Sequence, residues 1–273
     1  MCFTTNSTTS RILPQNEQAA QIWNAGGRQY DRISRQISDA IEHCVDLLDP
    51  QPGERVLDVA TGTGWTARRT ALRNAAVTGI DFSENAIAAA CDLDETGMID
   101  FQIGDAESLP FSNGEFDAVI STFGVMFCGN PMQAAAELGR VCKPGGRMAL
   151  AIWENHGGVY DMFRLITEHK PKTANPAPSP FEWANEDRLN EWLGGQFDLS
   201  ITRGVSMYCE DTAADAWDAF ATGYGPTKTL IGKLSDSQVD AFRRDFIAFH
   251  DQYQSNAGMR LPRPYLVVTG TKM

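Results

Sequence analysis

The chain has 273 residues, 42% hydrophobic and 21% charged, enough for one large α/β domain with an insertion, or two small domains, around an ordinary core. Its 23 Lys and Arg against 35 Asp and Glu leave a net charge of −12, a balance that repels phosphate backbones and anionic membrane surfaces. Nucleic acid is therefore not an expected partner, and no apolar run is long enough to span a bilayer.

The opening MCFTTNSTTSRILP is polar, lacks the apolar core of a secretory signal, and reads as a mobile first dozen residues. Six cysteines at 2, 44, 91, 128, 142 and 209 contain no C-x-x-C pair. They are expected to be reduced and mostly buried, in a cytoplasmic protein that holds no metal. Residues 18–48 read as helix, with Ile33, Ile37, Ile41, Val45 and Leu48 on one stripe and a break at Gly26–Gly27.

From there strands and helices alternate. Strands are expected at 55–61, 76–81, 100–104, 116–122 and 147–153. Helices fall between them at 67–74, from an N-cap at Ser83 to about Leu93, and from a cap at Asn130 with Pro131 first and Gln133 completing a capping box. Lys143-Pro144-Gly145-Gly146 is expected to end the last of these. Such alternation argues for a parallel sheet covered on both faces.

Past Asn155 the rhythm changes. A helix at 157–170 is followed by a proline-rich break at 171–180, a short helix at 186–193 and a strand at 199–208. Helices at 212–221 and 235–253 follow, the latter with Val239, Phe242, Phe246 and Phe249 along one stripe. A last strand runs over 264–271.

The chemistry begins in VLDVATGTGW, residues 56–65, where Gly62, Gly64 and Ala67 satisfy G-x-G-x-x-G/A at the end of a strand. Alone, that spacing marks any adenosine-bearing ligand. Asp58 sits on the strand itself, unhelpful to an anionic pyrophosphate but welcome to a ligand with a cationic amino-acid end. At the end of the second strand, GIDF offers Asp81 to ribose hydroxyls and Phe82 to an adenine face. After the third, GDAESLPF places Asp105 and the backbone behind it where an adenine edge would lie.

Together VLDVATGTG, VTGIDFS, GDAESLPF, FDAVISTFGVMF and AAAELGRVCKPGGRMALAIW resemble the class I S-adenosylmethionine-dependent methyltransferases, nearest the ubiquinone/menaquinone-biosynthesis type and its small-molecule relatives. The match runs well from Trp23 to Trp153, is looser over 155–262, and returns in PYLVVTGT; Ala60 stands where the family often has a third glycine. The resemblance implies a doubly wound, Rossmann-like, seven-stranded and mostly parallel sheet with its last strand antiparallel and a helical lid insertion. It divides the chain into an N-terminal cap (1–48), a cofactor-binding core (49–155), a substrate lid with one core strand (156–262) and a final core strand (263–273). It also implies S-adenosylmethionine as cofactor. Asp58, Ala60, Thr61, Gly62 and Gly64 would line its methionine and ribose side, and Asp81 and Phe82 its ribose and adenine. Asp105, Ala106 and Glu107 would follow the adenine edge, with Thr122 and Phe123 under the sulfonium.

Trp23 and Tyr30 are expected over the methionine carboxylate and substrate, with Tyr30 and His156 as candidate catalytic groups and Glu154 and Tyr160 nearby. His169 and His250 are expected on helix surfaces. Aromatics over 155–262 (Tyr160, Phe163, Trp183, Trp192, Trp217, Phe220 and Tyr224) suit a small apolar or aromatic acceptor. Two other functions fit parts of the pattern. A non-catalytic S-adenosylmethionine-binding protein would show the same cofactor residues. An NAD(P)-dependent oxidoreductase would use the Tyr-x-x-x-Lys pair Tyr224 and Lys228, although Gly225–Pro226 between them is expected to spoil the helical geometry.

Overall fold

A computed structural model describes residues 12–172 and 176–273; the N-terminal segment expected to be mobile lies, but for Ile12, outside them, as does part of the proline-rich break. Five strands run parallel: β1 (Arg55–Val59), β2 (Ala76–Asp81), β3 (Asp100–Ile103), β4 (Phe116–Thr122) and β5 (Cys142–Trp153). With β6 (Phe197–Glu210) and β8 (Gly258–Lys272) the sheet order is β3-β2-β1-β4-β5-β8-β6. β8 is antiparallel to both neighbours, and a two-residue β7 (Gln254–Ser255) pairs with it off this path. This is the doubly wound, seven-stranded sheet with an antiparallel last strand.

The central strands are apolar along their length because helices cover both faces. Val56, Leu57, Val119, Ile120, Leu150 and Ile152 are fully buried. On these faces pack α3 (Ser38–Leu48), α4 (Trp65–Ala71), α5 (Glu84–Leu93) and α6 (Pro131–Val141), preceded in the chain by α1 (Glu17–Asn24) and α2 (Tyr30–Arg35). The chain breaks at Gly26–Gly27 as expected and again at Gln36–Ile37, yet Ile33, Ile37, Ile41, Val45 and Leu48 all remain buried. Ser83 Oγ accepts from Ala86 N at 3.2 Å to open α5, and Asn130 Oδ1 accepts from Gln133 N at 3.2 Å to open α6. Each such cap contributes about 1 kcal/mol. Lys143-Pro144-Gly145-Gly146 ends α6 from inside β5, which begins at Cys142 and absorbs those residues through a register shift against β4.

The insertion contributes α7 (Gly158–Glu168), α8 (Glu186–Leu193), α9 (Ala213–Gly223), α10 (Gly225–Ile231) and α11 (Asp236–Asp251). The sequence reading missed α10 and took Gly225–Pro226 as a breaker. A proline in the first turn lacks an N–H that would be unpaired there anyway, so it opens the helix instead. On α11, Phe242 and Phe246 are fully buried, 5.1 and 5.6 Å from the Trp217 ring of α9. Among the described residues no helix is long and apolar enough to cross a membrane.

Candidate functional site

The strand order reverses between β1 and β4, and in open α/β sheets ligands bind outside the carboxyl ends of the strands at that point. The loops leaving the two strands hold Ala60 at φ 56° and Phe123 at φ 54°. A non-glycine residue takes this left-handed conformation at a cost of about 1 kcal/mol. The loops also touch: a Cβ on Gly124 would stand 2.5 Å from the Cβ of Ala60, so glycine alone permits the contact.

Against these loops lies an open cleft. Ala60, Thr61 and Gly62 line it from β1, Asp81 and Phe82 from β2, and Asp105, Ala106 and Glu107 from β3. Thr122 and Phe123 line it from β4, and Trp23 and Tyr30 from the N-terminal helices. Of the residues nominated from sequence for cofactor binding, only Asp58 and Gly64 stand back from this wall. Asp58 is fully buried; its Oδ2 accepts from Thr61 Oγ1 at 2.5 Å and its Oδ1 has no partner among the described residues. Burial pushes its carboxyl up to about 7. Gly64 sits where a Cβ would come within 2.8 Å of the Phe101 ring, so its place is in helix–strand packing.

Backbone amides hold the strand-end acids. Asp81 Oδ2 accepts from Gly62 N at 2.9 Å and Oδ1 from Ser83 N at 2.8 Å. Burial raises its carboxyl pKa while these N–H groups pull the other way. Asp105 Oδ1 accepts from Glu107 N at 2.9 Å. Glu107 Oε1 accepts from Asn130 N at 2.8 Å, whereas its Oε2 is buried with no partner among the described residues. An ionised carboxylate oxygen left this way lacks a donor.

A second cavity adjoins the first, and Tyr30, Ile37, Phe123 and Phe127 belong to both. Its wall is largely aromatic: Trp153 stacks on Phe123 at 3.7 Å, with Phe163, Phe220 and Tyr224 opposite. Burial pushes the Tyr30 phenol up to about 12 and the Tyr224 phenol well above its ordinary value, so both stay protonated at neutral pH. Among the described residues of this lining, Arg263 is the one ionised side chain.

The four histidines stand outside both cavities. His156 is largely exposed, 4.0 Å from Glu154, and neither Glu154 nor Tyr160 lines either of these two cavities. His43 Nδ1 meets Tyr265 OH at 2.9 Å, and His169 Nε2 meets Asp245 at 3.1 Å. His250, expected on a helix surface, is fully buried because it continues the inner face of Phe242 and Phe246. Tyr224 and Lys228 do not act together: the tyrosine joins the aromatic wall, while Lys228 Nζ donates to Ala25 O at 3.0 Å.

Sequence reasoning missed Ile37, Phe127 and Arg263 as lining residues. For Arg263 a signal existed: strand alternation through LPRPY puts it on one face with Leu261 and Tyr265, both buried.

Residues 57–150 match a family model described as a methyltransferase domain. A protein of Mycobacterium tuberculosis (strain H37Rv), named only as uncharacterised, is 33% identical over 227 residues, which cover 81% of this chain and 82% of that one. Demethylmenaquinone methyltransferase of Renibacterium salmoninarum is 34% identical over 165 residues, 55% of this chain and 68% of that protein. Among solved structures, the YcgJ protein of Bacillus subtilis shares the fold with a TM-score of 0.58 at 18% identity, over 86% of this chain and 98% of that one.

Proposed function

Because the chain belongs to the class I S-adenosylmethionine-dependent methyltransferases, we propose that it moves a methyl group from S-adenosylmethionine to a small apolar or aromatic acceptor by in-line displacement. The observation that carries this reading is the shared wall: a cleft edged by the strand-end acids and an aromatic cavity meet at Tyr30, Ile37, Phe123 and Phe127. A protein that only bound the cofactor would need the cleft alone.

The cleft suits the cofactor. Asp81, pinned by Gly62 and Ser83, faces it with acceptors for ribose hydroxyls, and the unpartnered Glu107 Oε2 suits an adenine amine. Bound there, S-adenosylmethionine supplies a methyl group on a sulfonium, which leaves as a neutral thioether. The protein's remaining work is alignment and exclusion of water. Phe82 packs the adenine, Asp105 and Ala106 follow its edge, and Thr122 and Phe123 support the methionine end. Asp58 acts from behind by fixing the Thr61 hydroxyl. Trp23 and Tyr30, their rings 5.9 Å apart, close the cleft from the cap of residues 1–48. Residues 156–262 serve as a lid through α7 and α9, which bring Phe163 and Phe220 to the second cavity. His156 takes no part.

The test is release of S-adenosylhomocysteine from S-adenosylmethionine over a panel of apolar phenols and quinols, beginning with demethylmenaquinone in its reduced form. Acceptor-dependent release is expected. Binding of S-adenosylmethionine with no release over the whole panel would leave a binding protein, and binding of NAD(P) in its place would overturn the cofactor.

A further inference from the structure

Arg263 sits in the second cavity without a carboxylate partner. It is 5% exposed, and among the described residues no Asp or Glu forms an ion pair with it. Its Nη2 donates to the Gln36 carbonyl and to Ser206 Oγ at 2.9 Å. Ser206 Oγ in turn donates to Asp39 Oδ1 at 2.8 Å, so the nearest acid in this chain of bonds is one hydroxyl removed. Nε is buried with no acceptor, and Nη1 has none among the described residues although it is not sealed off as Nε is.

Rings hold the guanidinium in place, 5.4 Å over Trp153 and 5.2 Å over Tyr208. Burial lowers its pKa only to about 10, and it stays a cation at neutral pH. A guanidinium N–H donates a short, charge-assisted bond to a carboxylate or phenolate oxygen. A buried cation that keeps free donors costs stability unless something pairs with it. Every other part of this cavity lining is neutral.

We infer that Arg263 is the anchor of the acceptor cavity and pairs with an anionic oxygen, carboxylate or phenolate, on an otherwise apolar aromatic acceptor. The inference rests on the second cavity being the acceptor site and adds the charge of the molecule it takes. The Ser206 and Gln36 bonds occupy Nη2 and orient the guanidinium, leaving Nη1 for the ligand.

Calorimetry on the full chain saturated with S-adenosylhomocysteine tests it with two matched pairs of probes. One pair is 2-naphthoate against 2-naphthamide; the other is 4-nitrophenolate, above its pKa, against 4-nitroanisole. At least one anion is expected to bind ten-fold or more tightly than its neutral partner, and the pair that shows it tells a carboxylate from a phenolate. The preference should vanish in Arg263→Gln and persist in part in Arg263→Lys, which keeps the charge without the fork. Equal binding within both pairs by the wild-type protein overturns the inference, as does a preference that survives in folded Arg263→Gln. Should Arg263→Gln fail to fold, the wild-type pairs and Arg263→Lys still decide. The S-adenosylhomocysteine titration is a separate readout: its failure sinks the methyltransferase reading, whereas its success without anion preference sinks only this one.

Discussion

Asn16 donates its Nδ2 hydrogen to Asp105 Oδ2 across 2.9 Å, and Leu13 N reaches the same oxygen at 3.1 Å. The segment leading into α1 is thereby tied to an acid at the end of β3, and Asn16 itself lines the cleft. The tie makes this segment a wall of the nucleotide end of the site. Asn16→Ala is expected to weaken S-adenosylhomocysteine binding by about 1–2 kcal/mol, the scale of one hydrogen bond to a charged group. The loss should appear mainly as faster dissociation in stopped-flow displacement. Unchanged dissociation would mean that the segment does not gate the cleft.

Asp81 has both oxygens held by Gly62 N and Ser83 N, so its carboxylate is positioned before any ligand arrives. Asp81→Asn keeps the size and loses the charge. Cofactor affinity is expected to fall by about 2–3 kcal/mol, and the amide nitrogen left facing Gly62 N or Ser83 N is expected to lower the unfolding free energy by about 1–3 kcal/mol. Calorimetry and circular dichroism on one preparation give both numbers; full affinity in a folded variant removes Asp81 from the site.

Phe242 and Phe246 lie on the apolar stripe of α11. Both are fully buried against α9 within one chain. Phe246→Ala is expected to cost about 3–5 kcal/mol in urea unfolding, as for an aromatic ring removed from a packed core. Stability within 1 kcal/mol of wild type, together with a change of oligomeric state in sedimentation, would place the ring at an interface instead.

His250 Nδ1 donates to Phe246 O at 2.8 Å, its Nε2 has no partner among the described residues, and burial pushes its pKa down to about 4. In the unfolded chain it titrates near 6.5. Between those values the unfolded state binds a proton that the folded state refuses, so this contribution is complete above about 6.5 and is lost as pH falls towards 4. Asp58 acts oppositely: its carboxyl is raised from 3.8 to about 7, and the folded state holds a proton across that window. The wild-type curve mixes the two. His250→Phe isolates one of them, and the difference in unfolding free energy between variant and wild type is expected to shift by about 2–3 kcal/mol from pH 7 to pH 4. A pH-independent difference would show that His250 titrates normally.

Much of the site was legible because its parts are local. Gly62 announces a left-handed turn, Asp81 and Asp105 close short apolar strands, and Ser83 and Asn130 cap helices through bonds three residues on. What escaped depends on partners distant in sequence. Arg263 meets Gln36 and Ser206 from distant parts of the chain, and the face that His250 shares with Phe246 is covered by Tyr208, 42 positions earlier in the sequence. Asp58 reads as a ligand-facing acid until the fold places Thr61 in front of it. Composition suggested an aromatic acceptor cavity, and only Phe163, Phe220 and Tyr224 of the aromatics named for it line one; Trp183 and Trp192 pair with each other in the core.

The central claim is that the two cavities meet where the methyl group is transferred. A crystal structure with S-adenosylhomocysteine bound tests it most directly. The adenine is expected against Phe82 and Glu107, and the sulfur at the wall of Tyr30 and Phe123, with the side that carried the methyl group facing the aromatic cavity. A sulfur turned to bulk solvent, or a wall closed between it and the second cavity, would contradict the claim.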